Sequence, residues 1–173
     1  TELQLLRLLS NTALQVNVTL LRMESHVSKN TAQSHLDAFY STLGEIRGHY
    51  FDGMIITGAP LDHIAYQDVS YWEEVCGIMD WCKTHVHSTL HLCWGAYAGL
   101  YYYYHIPTLD LDTKLSGIYD HRVIKKNSPL FRGFNDIFHA PQSRGITVSE
   151  DDIRKVPQLE MMATSDIAGV TMV

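Results

Sequence analysis

Cys93 stands where an apolar run, Thr89-Leu-His-Leu-Cys-Trp94, gives way to the small residues Gly95 and Ala96. A strand that meets a helix on so tight a turn exposes the corner residue and points it at the helix N-terminus. The backbone N–H groups and the dipole there favour a thiolate and a developing oxyanion, so Cys93 reads as a thiol nucleophile on an elbow. A buried core cysteine is the plainer reading of the same position. Cys76 and Cys82 fall inside a long helical pattern with no turn or base beside them, and read as packing residues. Gly58-Ala59-Pro60 closes a second apolar run; it could bring backbone N–H groups beside Cys93 or be an ordinary tight turn. A covalent acyl intermediate also needs a base. The chain has 10 histidines, none at a position that singles it out. His85, His87 and His91 alternate like a metal cluster, but no carboxylate or cysteine completes a ligand set, and no metal is expected. Lys114 and Ser143-Arg144 read as loop groups, a cation and a hydroxyl that could hold a substrate carboxylate or hydroxyl, or simply face solvent.

These groups need a frame. Leu3, Leu6 and Leu9 predict a helix over 2–10 with Thr1 as its cap. Alternation of Val16, Val18 and Leu20 predicts a strand over 15–22, and a helix follows over 31–43, capped by Asn30 or Thr31 and ended by Gly44. A buried strand runs from Phe51 into the Thr57-Gly-Ala-Pro60 turn. The longest helical pattern covers 68–86, with Trp72, Val75, Ile78 or Met79, and Cys82 on one face. A strand over 89–94 leads into a helix over 95–105 that Pro107 breaks. Short strands and turns are expected beyond it, at 117–124, 136–140, 146–148, 159–163 and 168–173. Strand-helix alternation through the first two-thirds argues for an α/β fold, a mostly parallel sheet flanked by helices. Ligands in such folds gather at the carboxyl ends of strands, here Thr57-Gly-Ala-Pro60 and Leu92-Cys-Trp-Gly95.

Composition bounds what this frame can serve. The chain has 173 residues, 46% hydrophobic and 18% charged, which fits one soluble domain and excludes disordered and low-complexity classes. No apolar run approaches the roughly 20 residues that span a bilayer, so no membrane role is expected. A net charge of −6 argues against nucleic acid as a partner. Three cysteines without a CxxC pair point to free thiols in a reducing compartment, and with no signal-peptide pattern the expected location is the cytoplasm. Thr1 in place of methionine, and a β-like run that ends on Val173, read as an internal piece of a longer chain, 1–173 being a single domain of it.

Taken together, several segments resemble one family along the whole chain. They are Thr1-Glu-Leu-Gln-Leu-Leu-Arg-Leu-Leu-Ser10, Phe51-Asp-Gly-Met-Ile-Ile-Thr-Gly-Ala-Pro60, Val69-Ser-Tyr-Trp72, Cys93-Trp-Gly-Ala96, Lys114-Leu-Ser-Gly117, Arg132-Gly-Phe134 and Ala140-Pro-Gln-Ser-Arg144. In order and spacing they look like homoserine O-succinyltransferase (homoserine transsuccinylase). The resemblance implies a class I glutamine amidotransferase-like, flavodoxin-like three-layer fold. It also implies transfer of an acyl group from acyl-CoA to the hydroxyl of homoserine, in methionine biosynthesis, through a cysteine thioester.

By that resemblance Cys93 is the nucleophile, and the backbone N–H groups of Trp94 and of Ala59 in the Gly58-Ala59 turn form the oxyanion hole. Lys114 and Ser143 fall at substrate-binding positions, and Asp62 at the position that governs acyl-CoA choice. A glycine there goes with succinyl-CoA and a glutamate with acetyl-CoA. A carboxylate facing the free carboxylate of a succinyl group is repelled and desolvated, so Asp62 implies acetyl-CoA as the co-substrate. The resemblance further implies no metal, no tightly bound cofactor, and homodimers. Two departures bear on the acceptor: Tyr97 stands where the family has glutamine, and Gln142 where it has histidine. A bulkier Tyr97 would suit L-serine, one methylene shorter than L-homoserine. The family's catalytic histidine and glutamate would lie beyond Val173 and a further lysine before Thr1. A glutamine amidotransferase-type cysteine hydrolase and a non-catalytic binding module are the alternatives on the same fold.

Overall fold

The computed structural model describes residues 2–26 and 31–173; Thr1 and Asn30, expected as helix caps, lie outside the described residues. The chain divides into two compact units, Thr1–Asp52 with Ser70–His87, and Gly53–Val69 with Ser88–Val173.

In the first unit the leucine spacing gives helix α1 (Glu2–Leu9), with Glu2 and Arg7 at the ends that suit its dipole. Glu2 accepts the Tyr40 hydroxyl at 2.7 Å, and burial together with this carboxylate pushes the Tyr40 phenol up to about 12. Strand β1 is only Leu20–Leu21, paired parallel with β2 (Tyr40–Ser41). The alternation over 15–22 overstated it: β2 offers two residues to pair with, and Val16 and Val18 stay exposed. The single helix expected over 31–43 is two, α2 (Gln33–Phe39) and α3 (Leu43–Ile46), separated by β2. Thr42 and Glu45 form a reciprocal capping box that starts α3, so Gly44 sits inside a helix and ends none. Helix α4 (Trp72–His85) buries Val75, Ile78, Met79, Trp81 and Cys82, close to the face expected. Trp81 donates its indole N–H to the Arg47 carbonyl at 2.9 Å, and Glu74 accepts from the Glu24 and Ser25 amides.

Strands β3 (Phe51–Ile56) and β4 (Val86–His91) form a two-stranded sheet. Helix α5 (Trp94–Tyr104) follows β4 and ends on His105 in the left-handed region. The His105 and Ile106 amides turn back to the Tyr101 and Leu100 carbonyls, so the helix is closed before Pro107 is reached.

Beyond Pro107 the short strands expected are largely one hairpin. β5 (Leu109–Val123) and β6 (Ile137–Thr147) pair antiparallel, and β7 (Ala163–Ser165) and β8 (Gly169–Met172) extend the sheet in the order β6-β5-β7-β8. Parallel pairing occurs at β1–β2, whereas this sheet is antiparallel throughout. Lys114 and Ser143-Arg144 therefore lie in strands, not in loops. With α6 (Glu150–Arg154) the second unit buries Ile106, Val148, Ile153 and Met161 against Tyr97, Leu100 and Tyr104 of α5, which fixes that helix.

Candidate active site

Cys93 is the N-cap of α5, exposed, with φ 56° and ψ −130°. A residue with a Cβ pays roughly 1–3 kcal/mol to stand in such a conformation. The surroundings hold it there: the Leu92 amide donates to the Ile56 carbonyl at 2.9 Å, tying the end of β4 to the end of β3. The Gly95 and Ala96 amides return to the Leu92 and Cys93 carbonyls at 3.0 and 2.9 Å, closing the first turn. A Cβ on Gly95 would lie 2.8 Å from the Ile56 carbonyl oxygen and 2.9 Å from that of Thr57, so glycine lets the helix start against the strand end.

The Gly58 turn comes closer still. A Cβ there would stand 2.7 Å from the Trp94 nitrogen, 2.8 Å from the Cys93 Cβ and 3.0 Å from its Sγ. The backbone of this turn thus lies on the thiol and on the next amide, where an oxyanion formed by attack at Sγ would sit. Ala59, one residue on, is half-buried, and its carbonyl takes the Leu61 amide at 2.8 Å.

Asp62 is half-buried, and its Oδ2 accepts the Gly145 amide at 2.8 Å. The β5–β6 ladder explains why. Its register breaks between Asp110, opposite Ile146, and Leu115, opposite Arg144, so residues 111–114 bulge away from Gly145. The Gly145 amide, left outside the ladder, goes to Asp62. Lys114 lies in that bulge, and Ser143 pairs with Ser116 beside it. Both are exposed, and among the described residues neither side chain has a hydrogen-bond or ion-pair partner.

Arg144 is buried and tied into the fold. Its Nε donates to Gln142 Oε1 at 3.1 Å, Nη1 to the Tyr97 hydroxyl at 2.8 Å and the Ile146 carbonyl at 2.9 Å, and Nη2 to the Ala168 carbonyl. It is an internal strut, with four of its five N–H groups donating within the fold. Burial pushes the Tyr97 phenol above its ordinary value against the pull of Arg144, so it stays protonated and donates to the Ile146 carbonyl at 3.4 Å.

His85, His91 and His121 are engaged with groups other than Cys93. His91 Nδ1 meets the Gly95 carbonyl at 3.2 Å, and burial holds its pKa below the ordinary value. His85 stacks on Trp81 and Tyr50, and His121 is fully buried against the Tyr119 carbonyl and Gln142. Among the described residues no histidine hydrogen-bonds Cys93, and no group of three or more His, Cys, Asp or Glu is arranged to hold a metal. Among them too, no helix is long and apolar enough to cross a membrane.

A family profile described as homoserine O-succinyltransferase matches residues 1–173, the whole sequence. The chain belongs to the homoserine O-succinyltransferase family. Relatives within it include the homoserine O-acetyltransferases of Agathobacter rectalis, 55% identical over 98% of this chain, and of Methanomethylophilus alvi, 53% identical over all of it. That of Bacillus cereus is 51% identical over the whole chain. This chain spans 55%, 56% and 58% of those relatives, so a little over half their length. A GMP synthase-type protein of Thermoplasma acidophilum matches in structure with a TM-score of 0.56 at 14% identity, covering 90% of this chain and 78% of its own. That likeness supports the class I glutamine amidotransferase-like α/β fold.

In this member of the homoserine O-succinyltransferase family, the structure gathers Cys93, Trp94 and the Gly58 turn at one point, and puts Lys114 and Ser143 on neighbouring strands. Asp62 reaches the same stretch of β6. Sequence reasoning anticipated that the Gly58 turn could lie beside Cys93, but missed that Asp62 and Tyr97 both hold residues 144–146 of β6. That arrangement depends on a strand bulge that leaves no mark in the sequence.

Proposed function

We propose that the full-length protein containing this chain is an acyl-CoA-dependent O-acyltransferase that acylates the hydroxyl of L-homoserine, using acetyl-CoA. The observation that carries the reading is the strained, exposed Cys93 at the start of α5 with the Gly58 backbone on its Sγ.

The Cys93 thiolate attacks the thioester carbonyl of acetyl-CoA, forming a C–S bond and an oxyanion that accepts from the Trp94 and Ala59 amides. Collapse breaks the bond to CoA, which leaves as a thiolate and takes up a proton. Lys114 and Ser143 hold the amino-acid acceptor. Its hydroxyl, losing its proton to a base supplied by the full-length protein, attacks the acyl-cysteine and regenerates the Cys93 thiolate. The Asp62 carboxylate disfavours a succinyl chain, which agrees with the acetyltransferase names of the relatives. The reaction needs no metal and no bound cofactor. It belongs to methionine biosynthesis in the cytoplasm, carried out by a homodimer in which 1–173 forms a single acyltransferase domain.

Intact mass spectrometry of the full-length protein mixed with acetyl-CoA or succinyl-CoA and no acceptor tests this. An acetyl adduct is expected, absent in Cys93→Ala and cleared by homoserine faster than by serine. Asp62→Gly should shift the donor preference toward succinyl-CoA by about tenfold or more. Absence of any adduct, with glutamine hydrolysed instead, would overturn the reading in favour of an amidotransferase-type hydrolase.

A further inference from the structure

Residues 144–146 of β6 are held from two directions. From the loop after the Gly58 turn, Asp62 Oδ2 takes the Gly145 amide at 2.8 Å. From α5, one turn beyond Cys93, the Tyr97 hydroxyl accepts from Arg144 Nη1 at 2.8 Å and donates to the Ile146 carbonyl at 3.4 Å. The stretch needs these holds, because the β5 ladder lapses opposite Gly145.

Behind Arg144 the hydrogen bonds run in one direction. Arg144 Nε donates to Gln142 Oε1, and Gln142 Nε2 lies 3.1 Å from His121 Nε2. His121 Nδ1 lies 2.8 Å from the Tyr119 carbonyl, which makes Nδ1 the protonated nitrogen and leaves Nε2 to accept from Gln142. Gln142 and Arg144 flank Ser143, so the two side chains beside the exposed hydroxyl are both fixed inward.

We infer that Asp62 and Tyr97 are positioning residues that together clamp β6 at 144–146 and so set where Ser143 stands relative to the Cys93 thiol. The inference rests on the proposed acyltransfer, in which Ser143 holds the acceptor. Asp62 thereby gains a second role, because its oxygen holds the strand whatever its charge does to the acyl group. Charge and clamp can be separated, since asparagine keeps an acceptor oxygen for the Gly145 amide and loses the charge, whereas alanine loses both. Burial keeps the Tyr97 phenol protonated, so its side of the clamp persists through the neutral and mildly alkaline range.

The test uses Tyr97→Phe, Asp62→Ala and Asp62→Asn in the full-length enzyme, read by acceptor KM at saturating acetyl-CoA and by amide hydrogen exchange over residues 143–147. Tyr97→Phe and Asp62→Ala are each expected to raise acceptor KM about three- to tenfold and to speed exchange at Gly145 and Ile146. Asp62→Asn is expected to keep exchange at Gly145 and Ile146 within about twofold of wild type, while still shifting donor preference. Unchanged KM and exchange in Tyr97→Phe would overturn the inference, as would exchange in Asp62→Asn as fast as in Asp62→Ala. Should Asp62→Ala fail to fold, the other two variants decide. A wild-type enzyme that transfers no acyl group sinks the acyltransferase reading and the acceptor role of Ser143 with it; the exchange pattern then reports on the clamp alone.

Discussion

Gly58→Ala is the sharpest probe of the elbow. The added methyl would stand 2.7 Å from the Trp94 nitrogen, 2.8 Å from the Cys93 Cβ and 3.0 Å from the Sγ. Ordinary contact begins near 3.4 Å, and two of the three atoms belong to the start of α5 or to the Cβ itself, which cannot swing aside as a flexible side-chain tip does. The turn and the helix start must therefore part by roughly 0.5–1 Å, and a misplacement of about 1 Å can cost on the order of 100-fold in rate. Loss of one oxyanion donor alone is worth about 100- to 1,000-fold. Acylation of Cys93 by acetyl-CoA, followed by time-resolved intact mass in the full-length enzyme, is expected to slow by about 100-fold or more. The overpacking should lower stability by only about 1–3 kcal/mol, so a folded protein remains to be assayed. Gly77→Ala is the control: it lies inside α4 with nothing within 4 Å of the new methyl, and should stabilise by about 0.5–1 kcal/mol without touching the reaction. Acylation of Gly58→Ala within threefold of wild type would refute the assignment of this turn to the oxyanion site.

Two other substitutions test the strain and the charge state around α5. Because Cys93 holds φ 56°, Cys93→Gly should melt higher than Cys93→Ala, by about 1 kcal/mol in a thermal comparison; equal stabilities would mean the elbow is not strained. His91 is held neutral by burial, its pKa below 6.5 in the folded state, so its contribution is complete above pH 6.5 and is lost as the pH falls below that value. Melting curves from pH 7 to pH 5 should therefore show wild type losing stability relative to His91→Asn, and a constant gap between the two would contradict the buried neutral imidazole.

Much of the site was legible because its parts are local. An apolar run, a cysteine and two small residues are enough to define a strand-to-helix corner, since a close approach of backbone to backbone admits only residues with little or no Cβ. The same holds for the Gly58 turn. Helices α1, α4 and α5 followed from spacing for the same reason: a helix shows its buried face every turn. Strand extents were less legible. Val16 and Val18 alternate as a strand does, yet stay exposed, because pairing requires a partner that the local pattern cannot supply.

Residue types and spacing by themselves determined the candidate nucleophile, its helix and the turn expected opposite it, and family membership follows from the sequence alone. Only the tertiary structure decided that 109–123 and 137–147 form a single hairpin with a bulge at Lys114, and that Gly145 is held by Asp62 from far along the chain. It also turned Arg144 from a candidate ligand for substrate into a buried strut. The physical reason is the same in each case: a backbone amide or a guanidinium takes whichever acceptor lies beside it when buried, and what lies beside it is set by the path of distant chain segments.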